Sequence, residues 1–197
     1  MELNELTAVP SADLPVAELS AHLHLGTGFA DDGSQNSVLE SYLRAALSAI
    51  ESRIGKAIFE RRFQWTVFAW NDSGRQGLPI APVSAIESLK IVNATGAETV
   101  VNPSTYQLVR DTMRPSIIAS GGGFPNIPGG GHADLTLLAG YSAVWSTIPT
   151  DLQQAVLLMA AHYFENRQGE ANATDLPATV LALIAPYRPM RLSGRVA

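Results

Sequence analysis

Apolar residues recur along this chain at two different periods, and the switches between them mark out its elements. Residues 1–13 are polar, follow neither period, and predict a frayed N-terminal arm. In LPVAELSAHLHL, residues 14–25, Leu14, Val16, Leu19 and Leu23 fall at spacings near three and four. With Pro15 suited to a first helical turn, this stretch predicts a short helix. The following GTGFADDGSQNS breaks the pattern with Asp31, Asp32 and Gly33, and offers Ser34 or Asn36 as a helix cap. Leu39, Leu43, Ala46, Ile50 and Ile54 then form one stripe, with Arg44 and Arg53 outside it and Gly55 as terminator, which predicts the most regular helix of the chain.

From Ile58 the period drops to two. FERRFQWTVFAW, residues 59–70, alternates Phe63, Trp65, Val67 and Ala69 with Gln64, Thr66 and Phe68, an aromatic and β-branched mixture that predicts a strand. Shorter strands are predicted at Leu78–Ile80, Ile86–Val92, Glu98–Val101, Tyr106–Arg110, Ser116–Ala119 and Ala133–Ala139, with hairpin turns at Asn93–Gly96 and Arg110–Pro115. The helical period returns in PTDLQQAVLLMAAHYFENRQG, where Leu152, Val156, Met159, Ala160 and Tyr163 make a stripe. Thr150 and Gln153 have the spacing of a capping box there, and Gly169 ends the helix. LPATVLALIAPY, between Pro177 and Pro186, predicts a last short helix.

The predicted class is therefore α+β: a small helical bundle of two N-terminal and two C-terminal helices, an inserted antiparallel β-rich unit, and an extended C-terminal tail. The expected organisation is an arm over 1–13, helical halves over 14–56 and 148–187, a β-rich insertion over 57–147 containing a Gly/Pro-rich loop at 119–132, and a tail over 188–197. The stripes of the second and third helices are expected to pack together as the core.

Composition narrows the chemistry. At 197 residues with 46% hydrophobic and 16% charged residues, the chain can bury a core. It has no cysteine, which removes disulfides, thiolate metal sites and cysteine nucleophiles. The most nearly uncharged stretch, residues 116–133, is broken by glycine and proline and does not suit a membrane helix. The acidic N-terminus lacks the positive start of a secretory signal, so synthesis and retention in a bacterial cytoplasm are expected. A net charge of −5 disfavours gripping nucleic acid. Arg188, Arg191 and Arg195 nevertheless cluster at the end without an acid among them, giving a basic tail on an acidic body.

The residues from Gly121 to Gly131 hold six glycines and two prolines. They contain no Lys, Ser or Thr, so the stretch lacks the reach of a phosphate-binding P-loop. Because another strand follows, it also fails the dinucleotide fingerprint, which must open a helix. A long strand-to-strand loop remains, expected to be mobile in a free subunit, with Phe124 and Ile127 as its sizeable apolar residues. Of the histidines, only His162 with Glu165 puts two ligand types on one helix face, too few for a metal. Asp31–Asp32 reads as a solvated turn rather than a calcium loop. The aromatics Phe63, Trp65, Phe68 and Trp70 lack the interleaved cations of a base-stacking platform and read as core. No catalytic residues, cofactor or metal are predicted, and the chain is expected not to be an enzyme.

Taken in order, LPVAELSAHLHL, LESYLRAALSAIESRIGKAIFERRFQWTV, LPIAPVSAIESLKIVNATGAE, YQLVRD, DLTLLAGYSAVWSTIPTDLQQAVLLMAAHYFENRQG and LPATVLALIAPYR resemble the head-tail connector family. These are the adaptor or head-completion proteins of long-tailed phages and of phage-derived gene transfer agents. The resemblance runs from Leu14 to Arg188 and rests on order and spacing rather than on a catalytic motif. It implies a homo-oligomeric ring, usually of twelve copies, beneath the portal protein at one vertex of the particle. Such a ring extends a channel through which double-stranded DNA passes without specific binding, and meets a tail-side connector or stopper protein.

Two segments are the expected interfaces. The tail residues Arg188, Pro189, Met190, Arg191, Leu192, Arg195 and Val196 mix charge with isolated apolar side chains, suiting addition to the portal. The loop residues Gly121, Gly122, Gly123, Phe124, Pro125, Ile127, Gly129, Gly130 and Gly131 offer backbone for close approach to a neighbouring subunit or the tail-side protein. A soluble interaction module with no particle role, or a small enzyme of unknown substrate, are the alternative classes.

Overall fold

The computed structural model describes residues 2–25, 34–166 and 176–189. The chain separates into two compact units. One draws on Met1–Val9 and Phe59–Ala143, the other on Pro10–Ile58 and Val144–Ala197.

The second unit is helical: α1 (Val16–His22), α2 (Ser34–Ile54), α3 (Thr150–Glu165) and α4 (Ala178–Ile184). Helix α2 packs on α3, α4 packs on α3, and α1 contacts both α2 and α3. The reason is the stripe: Leu39, Leu43, Ala46, Ile50 and Ile54 of α2 are all buried, as are Leu152, Val156, Met159 and Ala160 of α3. Tyr163 is only half-buried. Gly55, at φ 67, turns the chain out of α2 in the left-handed conformation that glycine adopts without strain.

The start of α3 departs from the expected capping box. Pro149 precedes the helix and makes no side-chain cap bond, and Thr150 is the first helical residue. Gln153 Nε2 instead donates to the Ile148 carbonyl at 2.6 Å. The serine-to-carboxylate contact that steadies the segment before α1 is better formed. Ser11 Oγ donates to Glu40 Oε1 at 2.7 Å, and Arg44 adds N–H bonds at 2.9 and 2.8 Å. Those bonds, Ser11 first and Arg44 second, hold the Glu40 carboxyl below its ordinary value.

The first unit is antiparallel and contains two sheets rather than one β cluster. Strands β1 (Glu2–Glu5), β2 (Arg61–Val67), β4 (Val83–Val92), β5 (Glu98–Val100) and β8 (His132–Ala139) form a five-stranded sheet in the order β1-β2-β8-β4-β5. Strands β3 (Arg75–Gly77), β6 (Tyr106–Val109) and β7 (Ser116–Ala119) form a three-stranded sheet in the order β3-β7-β6. The alternation of β2 is realised: Phe63, Trp65 and Val67 are buried between half-exposed Gln64 and Thr66. Phe68 escapes this core and is 58% exposed.

Two expectations are corrected here. Part of the N-terminal arm is a strand: β1 pairs with β2 from Glu2↔Thr66 to Glu5↔Phe63, and Arg61 Nη2 donates to Glu5 Oε2 at 3.2 Å. All four of its side chains are exposed, so backbone pairing holds it and no period-two signal arises. The strand expected at Leu78–Ile80 lies earlier, at Arg75–Gly77. Its central residue is the buried Gln76, whose Oε1 accepts from the Asn71 N–H at 2.8 Å, so a satisfied amide occupies the inward position where an apolar residue was sought.

Where the chain enters and leaves the β unit, its two passes are tied together. Phe59 bridges Ser142, and the Glu60 N–H donates to the Ser142 carbonyl at 2.8 Å. Gly140, at φ 138, lies so close that a Cβ would collide with the Phe59 and Glu60 backbone.

Two outcomes follow for stability. Leu43→Ala, at a fully buried site of the α2–α3 contact, is expected to cost about 2–5 kcal/mol in denaturant titration. Because Glu40 titrates low in the folded state, its contribution is complete above the ordinary carboxylate range and fades as pH falls through the folded value. Ser11→Ala should move the Glu40 titration, followed by carboxyl NMR, upward toward that ordinary value.

Candidate assembly interface

The Gly/Pro-rich loop joins β7 of the small sheet to β8 of the large one, so its ends are fixed by two different ladders. It does not stand free of the subunit. The Phe124 ring stacks on Trp70, with centroids 4.7 Å apart and planes at 26°. Trp70 Nε1–H donates to the Pro125 carbonyl at 2.8 Å. The Phe124 N–H donates to the Ser73 carbonyl at 2.7 Å, and at the loop's start the Ser120 N–H donates to the Thr105 carbonyl at 2.8 Å. At its end the Gly131 N–H closes a turn onto the Pro128 carbonyl at 2.9 Å. Phe124 and Ile127, the two apolar residues singled out in the sequence, are both half-buried within the subunit.

The glycines serve different ends. Gly121 and Gly122 adopt φ of 138 and 50 with open space where a Cβ would be, so they supply conformation and leave bare backbone outward. Gly131 has no such φ; it is needed because a Cβ would collide with the Val92 carbonyl oxygen. Gly129 meets neither condition. Between the first half of this loop and the Val101–Thr105 turn lies an open hollow of about 420 Å³. Its far wall is shaped by Asn102, whose Oδ1 accepts from the Ser104 N–H and hydroxyl, both at 3.0 Å. The walls thus mix apolar surface from Val101, Phe124 and Pro125 with hydroxyls.

The basic tail lies largely outside the described residues, including Met190, Arg191, Leu192, Arg195 and Val196. Arg188 and Pro189 are described and exposed. The root of the tail is firmly placed within the helical unit: the Tyr187 hydroxyl donates to Asp151 Oδ1 at 2.6 Å, and Lys56 Nζ lies 5.7 Å from the Tyr187 ring centroid.

Of the polar residues considered as ligands, His162 is engaged otherwise. His162 Nδ1 is 3.0 Å from Asn166 Nδ2 and Glu165 is exposed. Asp31 and Asp32 lie outside the described residues. Among the described residues, no group of three or more His, Asp or Glu side chains could hold a metal ion, and no helix is long and apolar enough to cross a membrane. Sequence reasoning missed the outward apolar residues Phe68, Val100 and Val144, exposed by 58%, 66% and 57%. Phe68 carries the only readable signal, an aromatic on the polar side of the β2 alternation.

Comparison with solved structures gives the chain's context. At TM-score 0.90 and 48% identity, with 98% of both chains covered, the chain is similar to one in the neck of an empty gene transfer agent particle computed with C6 symmetry. It is similar to a chain of the native gene transfer agent virion at TM-score 0.87 and 48% identity, again over 98% of both chains. A third match, in the neck of a native particle computed with C12 symmetry, has TM-score 0.86, 44% identity and the same coverage. No family model and no curated protein matches the chain. With such identity over 98% of its length, the chain belongs to the family of gene transfer agent neck proteins, structural components of the particle.

The glycine geometry sets a prediction. Gly131→Ala should destabilise the β unit by about 1–3 kcal/mol through its collision with Val92, whereas Gly129→Ala should be near neutral. Thermal denaturation of the two variants checks the contrast.

Proposed function

We propose that this protein is the adaptor of the neck: a ring of twelve copies beneath the portal protein that extends the DNA channel and joins the capsid to the tail. The observation that carries the reading is the full-length similarity to neck chains of particles computed with C6 and C12 symmetry. Twelve copies suit both, since a twelve-fold ring contains the six-fold axis. Such a ring closes through head-to-tail contacts in which each copy presents two different surfaces. The protein acts by docking, without catalysis or cofactor.

Charge supports the same reading. The chain carries 13 basic against 18 acidic residues, and an acidic channel wall repels the phosphates of DNA sliding through it. The basic tail is the portal-binding element, Arg188, Pro189, Met190, Arg191, Leu192, Arg195 and Val196 adding to the portal by backbone bonds and side-chain pockets. The loop Gly121–Gly131 is the element that meets the tail-side protein.

Particles made without this chain should accumulate as heads separate from tails, and imaging of the portal vertex in intact particles should show it as a twelve-fold layer between portal and tail. Density for the chain elsewhere, with that layer absent, would sink the reading. Deletion of residues 189–197 should leave a folded chain, by circular dichroism, that no longer joins heads; normal joining would discard the tail's role.

A further inference from the structure

We propose that Trp70 is the positioning residue of the glycine-rich loop, holding its first half, Gly121–Pro125, in one shape in the free subunit so that this part docks as a preformed surface. The inference rests on the reading of that loop as the tail-side contact and says how the contact is prepared.

Six glycines within eleven residues would ordinarily leave a loop with many conformations, all to be surrendered on docking. The geometry restrains the first half of the loop beforehand. Trp70 supplies both a ring for Phe124 to stack on and an N–H for the Pro125 carbonyl, two contacts on adjacent loop residues from one side chain. Three residues further on, the Ser73 carbonyl accepts the Phe124 N–H at 2.7 Å and lies 3.1 Å from where a Gly123 Cβ would be, so the loop is seated against 70–73 by backbone as well.

The support is itself braced. Asn71 N–H donates to the buried Gln76 Oε1, Gly74 N–H donates to Asp72 Oδ1 at 3.1 Å, and the Gly74 carbonyl accepts from the Ala119 N–H at 2.9 Å. The strut therefore runs from the buried Gln76 to Asn71, and from the adjoining Trp70 to Phe124 and Pro125 of the loop. It keeps the Ser120–Pro125 wall standing over the hollow. Gly121 and Gly122, beyond the strut, are left with backbone facing outward and no Cβ to obstruct a partner.

Hydrogen exchange of the full chain, paired with head-to-tail joining of particles carrying the same variants, tests this. Trp70→Leu should speed exchange of the Phe124 amide on the order of tenfold while leaving the β8 amides of Leu135 and Leu137 unchanged. Trp70→Phe, which keeps a ring but loses the N–H, should show a smaller increase. Joining should fall in the same order. Unchanged Phe124 exchange in Trp70→Leu would overturn the strut, and a loosened loop with normal joining would overturn its preparation for docking. If Trp70→Leu disturbs β8, Trp70→Phe decides by the same two readings. Particles lacking the chain altogether report separately on the adaptor reading, so the two failures are distinguishable.

Discussion

Strand β8 is the constraint on which the β unit depends. It pairs with β2 from Arg61↔Ala139 to Val67↔Ala133 and with β4 from Val83↔Ala139 to Val92↔His132, so both halves of the large sheet are registered against it. Ala133, Leu135, Leu137 and Ala139 are fully buried, and a slip of one residue would turn all four outward. The loop that enters β8 must therefore deliver His132 in register, which is what the close approach of Gly131 to Val92 enforces. A segment that looks loose in composition is bounded at its end by one of the strictest packing sites in the chain.

The helical unit solves a different problem. Its core comes from α2 and α3, whose facing stripes are separated in sequence by Phe59–Ala143, the larger part of the β unit. Such an insertion is tolerated when its ends are close, because the host need not open to admit it. The bridge of Phe59 to Ser142 and the collision-limited approach of Gly140 to Glu60 bring the ends together within the β unit itself. Each unit can then satisfy its own core.

What the sequence disclosed follows the side chains. The stripe Leu39–Leu43–Ala46–Ile50–Ile54 and the inward set Phe63–Trp65–Val67 were legible because burial writes a period into the residue types. Strand β1 was not, since Glu2–Glu5 is held by its backbone with every side chain exposed. Strand β3 was displaced because its inward residue is Gln76, a polar side chain whose partners cannot be read locally. At the candidate interface, composition marked Gly121–Gly131 as unusual and gave no sign of the contacts that its first half makes. The partner that shapes it, Trp70, lies some fifty residues earlier and reads in sequence as one more aromatic of a strand.

The same geometry bears on how identical acidic chains can share a ring. Like-charged copies repel, and at a net charge of −5 each the contacts between them must come from short-range features rather than from long-range attraction. Cations in the β unit are largely spent internally, with Arg61 on Glu5, Arg62 on Glu87 and Lys90 on Glu98. Backbone surfaces and exposed apolar residues such as Phe68 and Val100 are left to make contact without a charge cost. The glycine loop proposed for the tail-side contact is uncharged in the same way. It offers hydrogen-bonding groups at close range, carries no charge, and is restrained by Trp70 at Phe124 and Pro125, which lowers the ordering cost of docking.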